Sequence, residues 1–308
     1  MYLTPEKELY TIIQLFYSGN FNDIISLNLI NEFDFSNILY DFEANFYKIR
    51  SFIILNQNND ALELLNILQN RISIAKENNQ IDELSFNTLI LDIKVIISYL
   101  NNQLDNDLLN LIDNDKPSLA LIYKNKYLKN IPISIKNPDL DLESYILLLF
   151  TNYPNNIDQY INKLIDLKSH YSDSLILEFA FAWLGLLSNF NDNINLKNSY
   201  YFFDELNSSS NTNSLKIKIN LFACHLKLIN IPESLEILKS IENEEENSNP
   251  SYDYSLLINK ISLASITSNS IERSKLIDEI SSKFPNSPYV SDLNSKSQLF
   301  DSIVKEYA

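Results

Sequence analysis

Glycine is nearly missing from this chain of 308 residues: only Gly19 and Gly185 occur. Only glycine enters positive-φ backbone without penalty, so folds built on glycine-rich hairpins or phosphate-cradling loops are all but excluded. No G-x-x-x-x-G-K-[S/T], G-x-S-x-G or H-E-x-x-H pattern is present. One cysteine, Cys224, forms no intramolecular disulfide and fits a reducing compartment. The two histidines, His170 and His225, lie far apart, whereas metal sites and acid–base pairs need matched spacing. No catalytic residue, metal ligand or cofactor site is therefore expected. Basic residues are outnumbered, 24 Lys and Arg against 40 Asp and Glu, a net charge of −16. That disfavours nucleic acid and anionic membrane surfaces, and leaves neutral or basic proteins as partners. The longest apolar patches, such as Tyr145–Phe150, are far too short to span a bilayer, so no membrane insertion is expected. The opening MYLTPEKELY lacks a basic n-region and an apolar h-region. A cytosolic soluble protein without a secretory signal is the expectation.

What is abundant points to helices. Hydrophobic residues make up 45% of the chain, enough for a folded core. Leu, Ile, Glu, Lys and Asn are plentiful; Asn is about one residue in seven and suits turns, caps and solvent faces. Leu9, Ile12, Ile13 and Phe16 recur at helical spacing from about Pro5 to Ser18, with Thr4 as N-cap. Gly19-Asn20-Phe21 then turns the chain into a second helix, from Asn22 to about Ile30. A second hairpin covers 38–69, with Phe42, Phe46, Ile49, Phe52 and Ile53 before a turn at 56–60. Ala61, Leu64, Leu65 and Leu68 follow it. Small Ala61 matches the close-approach position of a tetratricopeptide (TPR) second helix.

Further helices are expected at about 81–104, 105–114, 141–151, 156–169 and 172–188, with an irregular connection at 131–138. A polar insertion at 189–198 precedes a helix from Ser199, where Tyr200, Phe203 and Leu206 share a stripe. Leu221, Ala223, Cys224, Leu226 and Leu228 mark the core side of the next helix, and Leu235 and Leu238 that of its successor. Helices at about 253–267, 271–283 and 288–306 complete the series. Such hairpins cannot bury their apolar faces alone and must stack. The expected fold is all-α: one TPR-like right-handed α-solenoid over 1–308, with a capping helix at about 288–306. A generic helical bundle is the alternative.

The tempting chemistry fails on geometry. Neighbours on a helix point about 100° apart, so Cys224 and His225 do not form a nucleophilic pair; a buried structural Cys fits better. The acidic run 242–246 has no turn glycine of a cation loop and reads as a solvated loop. Trp183, the one tryptophan, sits among Phe179, Phe181 and Leu184 and reads first as core. Tyr17, Tyr47, Tyr200 and Tyr201 read as wedges between helices.

Several segments nevertheless resemble the coatomer epsilon subunit family. These are Glu8-Leu9-Tyr10 followed by Phe16–Phe21, Phe46-Tyr47-Lys48, Ala182-Trp183, Tyr200–Leu206 and Ala223-Cys224-His225. Phe284-Pro285 and the terminal stretch Phe300–Ala308 complete the set, in the family's order. Ser199 stands where the family usually has Ala, and about 70–140 matches by position only. The resemblance implies an all-α solenoid without catalytic residues, peripheral on Golgi and COPI vesicle membranes. It implies a partner, the C-terminal domain of the alpha coatomer subunit, gripped as an extended element. Candidate partner-binding residues on first helices are Phe46, Tyr47, Arg50, Trp183 and His225. Two other functions stay open: a TPR adaptor for acidic C-terminal peptides, which needs converging Lys, Arg and Asn, and a helical enzyme or enzyme-subunit scaffold.

Overall fold

A computed structural model describes residues 5–29, 35, 37–101, 111, 142, 146, 157–171, 174–187, 193–208, 214–243 and 250–307. Among these residues there are helices and no strands. The chain divides into two compact units, Met1–Leu184 and Gly185–Ala308.

The first unit begins with α1 (Pro5–Ser18), α2 (Phe21–Ser26), α3 (Ile38–Ile54), α4 (Asn58–Glu77) and α5 (Glu83–Leu100). Later it contains α6 (Ile157–His170) and most of α7 (Leu175–Leu187). The second unit holds the end of α7, then α8 (Asn193–Ser208), α9 (Leu215–Lys227) and α10 (Ile231–Glu242). It continues through α11 (Pro250–Ile266), α12 (Ser270–Lys283) and α13 (Pro288–Tyr307).

Packing follows the solenoid rule in each unit. Helix α3 lies against its hairpin partner α4, the preceding α2 and the preceding first helix α1. In the same way α9 lies against α10, α8 and α11. A first helix thus touches its own second helix, the previous second helix and a neighbouring first helix. This is the stacking of TPR-like hairpins. Phe42, Phe46, Ile49, Ala61, Leu65, Leu68 and Ile93 form one core across α3, α4 and α5. Ala61 is fully buried, the close approach that its small size predicts. Asp41 on α3 pairs with Arg71 on α4 and also accepts from Asn45 Nδ2 at 3.1 Å. In the second unit Ile219, Phe222, Leu226, Ile241, Leu256 and Leu263 form the core of α9, α10 and α11.

Four first helices end in the same way. Gly19, Asn56, Ile229 and Ser268 take φ of 87°, 59°, 61° and 57°. Each N–H donates three residues back, to Phe16, Ile53, Leu226 and Ser265 oxygens respectively. The next N–H, of Asn20, Gln57, Asn230 or Asn269, donates five residues back at 2.9 Å. The next helix begins at once. This paired Schellman arrangement satisfies two terminal carbonyls with backbone alone, so its left-handed position accepts residues other than glycine. It reconciles the scarcity of glycine with tight hairpins.

Some sequence expectations shift. Helix α2 stops at Ser26, where Leu27 turns extended at ψ 133°, instead of running to Ile30. Lys48 Nζ caps that end, donating to the Leu27 oxygen at 2.7 Å. Residues 193–198, read as insertion, are the start of α8. Leu235 is 43% exposed; Ser234 and Ile241 take the core side of α10 in its place. The expected helix at 105–114, the connection at 131–138 and the helix at 141–151 lie outside the described residues, apart from 111, 142 and 146. So do residues 244–246 of the acidic run.

Candidate partner-binding surface

In the first unit, aromatic side chains from α1, α2, α3 and α7 meet. Phe16 stands edge-on to Tyr17, Phe21 and Tyr47 at centroid distances of 5.5, 5.5 and 5.1 Å. Tyr17 reaches Phe179 at 5.5 Å and Trp183 at 6.0 Å, and those two lie 5.7 Å apart. Local sequence explains each part. Phe16 and Tyr17 occupy the last turn of α1 before the Gly19 reversal, and Phe21 opens α2. Phe179 and Trp183 are one helical turn apart on α7, so they share a face. Arg50 covers the cluster, its guanidinium 4.3 Å from the Phe16 centroid and 5.2 Å from that of Tyr47. A guanidinium at these distances is held by the ring quadrupoles and keeps its planar donor fork ordered.

Three of the five residues read as partner-binding, Tyr47, Arg50 and Trp183, therefore share one cluster. Arg50 and Trp183 are half-buried, whereas Tyr47, under Arg50, is buried. Phe46 is buried in the separate core of α3, α4 and α5. Phe16, Tyr17 and Phe179 organise the cluster and were not read as partner-binding. Their local signals, an aromatic pair before a turn and an i, i+4 pair, do not say that α1 and α7 meet.

His225 lies in the second unit and is buried. Its ring faces Tyr200 on α8 edge-on at 5.2 Å, with Asp204 on α8 and Glu233 on α10 close enough to act on it electrostatically. Burial lowers its pKa from the ordinary histidine value, and the two carboxylates oppose that shift. Its Nδ1 is buried without a hydrogen-bond partner. The neighbouring Cys224 is fully buried, and burial pushes its thiol up to about 12. A neutral thiol beside an uncharged imidazole lacks the thiolate that nucleophilic catalysis needs.

Two lysines of α9 feel the same dry surroundings. Burial lowers Lys216 to about 8, and lowers Lys227, whose Nζ donates to the Leu186 oxygen at 2.8 Å. Between α11 and α12 a shallow groove is lined by Asp253, Lys260, Glu279 and Lys283. Both of its lysines hold carboxylates: Lys260 with Glu242 at 3.0 Å and Lys283 with Glu279 at 2.7 Å. Among the described residues no three His, Cys, Asp or Glu side chains gather as metal ligands, and no helix is long and apolar enough to cross a membrane.

The surface thus offers contact chemistry: ordered aromatic area, a stacked guanidinium and stacked helices. Comparison with curated proteins gives no match. A family model described as coatomer epsilon subunit matches residues 142–308, more than half of the chain and the whole run from α6 to α13. With its stacked hairpins and its Tyr200 and His225 in contact, the chain belongs to the coatomer epsilon subunit family, whose members are structural subunits of the COPI vesicle coat.

Proposed function

We propose that this coatomer subunit binds the C-terminal domain of the alpha coatomer subunit and stabilises it within the COPI coat. It would serve Golgi-to-ER retrograde and intra-Golgi transport from the cytoplasmic side, peripheral on Golgi and vesicle membranes. The observation that carries the partner reading is Arg50 stacked on Phe16 and Tyr47. A cation already ordered on aromatic rings loses little entropy when it engages a partner. Arg and the aromatics are the residue types that dominate binding energy at interfaces. Arg50 and Trp183 are the proposed contacts, with Phe46 and Tyr47 holding α3 beneath them. His225, buried against Tyr200, holds the second unit's helices in register for the same partner.

Co-expression of the chain with the alpha subunit's C-terminal domain, followed by size exclusion with light scattering, tests this reading. A 1:1 complex is expected. Separate elution at micromolar concentration overturns it. Arg50→Ala and Trp183→Ala should each weaken the complex by roughly tenfold, about 1.4 kcal/mol.

A further inference from the structure

Helix α13 joins the second unit only at its start. Val290 is buried with Leu257, Ile261, Leu276 and Ile280, and the Tyr289 N–H reaches the Tyr254 hydroxyl at 3.4 Å. From Ser291 to Glu306 every residue but half-buried Leu293 is exposed. Leu299, Phe300, Ile303 and Val304 are 60%, 66%, 46% and 46% open to solvent. Their i, i+1, i+4, i+5 spacing puts them on one face, about two turns long. Elsewhere among the described residues no more than two exposed large apolar side chains share a helix, and Ile67 and Ile74 on α4 are two turns apart; these four adjoin. A helix that closes a solenoid shows water a polar face. This face has instead the pattern of a helix awaiting another layer. A free-standing stretch of this length is also marginal as a helix in water.

Charge selects the occupant. Asp292 is tied to Lys296 on its own helix at 2.6 Å, which leaves Asp301 and Glu306 against Lys305 along the rim. The whole chain carries −16, so a second copy would bring like charge onto like. We propose that the Leu299–Val304 face of α13 receives an amphipathic helix of the partner, with a basic flank, stacked as the next layer of the solenoid. This rests on the reading of the alpha subunit's C-terminal domain as the partner, and extends it to a second contact beyond Arg50 and Trp183. Burial of Phe300 with its three apolar neighbours makes it the anchor of that contact.

The test uses Phe300→Asp and Ile303→Asp in the full chain, titrated against the alpha subunit's C-terminal domain by calorimetry. Both sites are exposed, so thermal unfolding of the free variants should match the parent chain. The expected result is at least a tenfold loss of affinity for each variant, with protection of α13 from hydrogen exchange in the parent complex. If the parent chain binds and both variants bind equally well, the α13 contact is overturned and the partner reading stands. If the parent chain itself fails to bind, the partner reading falls and this contact falls with it. Light scattering of the chain alone supplies the remaining arm: a dimer that Phe300→Asp dissolves assigns the face to a second copy and overturns the proposal.

Discussion

The His225 imidazole meets the Tyr200 ring edge-on, 5.2 Å between centroids, while its Nδ1 is buried without a partner. The contact joins α8 to α9 through two aromatic rings and leaves a titratable nitrogen in a dry place. Burial lowers its folded-state pKa, so the unfolded chain takes up the proton first as pH falls. The stabilising effect of a neutral His225 is therefore complete above the unfolded histidine range near 6.5. It declines as pH drops from there toward the lowered folded value.

Urea midpoints measured between pH 7.5 and 5.5 should fall across this window, and His225→Phe should flatten the fall. A slope left unchanged by that substitution would assign the acid sensitivity to carboxylates.

Ile229 is a β-branched residue at φ 61°, where it costs about 1–2 kcal/mol that glycine avoids. It is 68% exposed, so removing its side chain forfeits little core. After allowance for the greater freedom of glycine in the unfolded chain, Ile229→Gly should stabilise the protein by about 1 kcal/mol. Gly19→Ala, at the equivalent turn, should have the opposite sign. Chemical denaturation of the pair checks both, and equal shifts would refute the strain argument.

Cys224 provides a probe of opening. Its thiol is fully buried and held near 12, so it is both inaccessible and protonated at neutral pH. Labelling by an aromatic disulfide reagent should be negligible in the native chain and complete in denaturant. The native rate should track the unfolding equilibrium as urea rises. Rapid labelling in buffer would contradict the packing of α9.

Ala61 has no room to grow. It is fully buried where α4 approaches α3, with Phe42, Phe46 and Leu65 in the same core. Ala61→Leu should cost about 1–3 kcal/mol by overpacking. Leu64→Ala, at the half-buried neighbour, should cost less than the roughly 2–5 kcal/mol typical of a fully buried leucine. Thermal melts of the two variants decide the order.

Much of the fold can be read along the chain because a hairpin is a local object. Spacing of Leu9, Ile12 and Phe16, or of Ala61, Leu65 and Leu68, reports its own burial within a turn or two. Leu235 shows where that reading fails. An amphipathic stripe has two edges, and sequence alone does not say whether Ser234 or Leu235 meets α9. Small Ser234 takes the buried place, its hydroxyl donating to the Asn230 oxygen at 2.7 Å. The aromatic cluster was less legible, since Phe16 and Phe179 are separated by most of a unit and each carries only a local signal. The apolar residues of α13 were visible as a terminal helix, but only exposure tells an open face from a packed one.

The four hairpin turns have a mechanical consequence. Each is two or three residues long, with its last two N–H groups tied back into the preceding helix. Such a joint has no slack, so each of these four helix pairs moves as a plank, and compliance lies at the seams between planks. Strain borne by the coat would then part whole hairpins before it bent any one of them. Pulling on the chain by its termini should accordingly give steps of hairpin length.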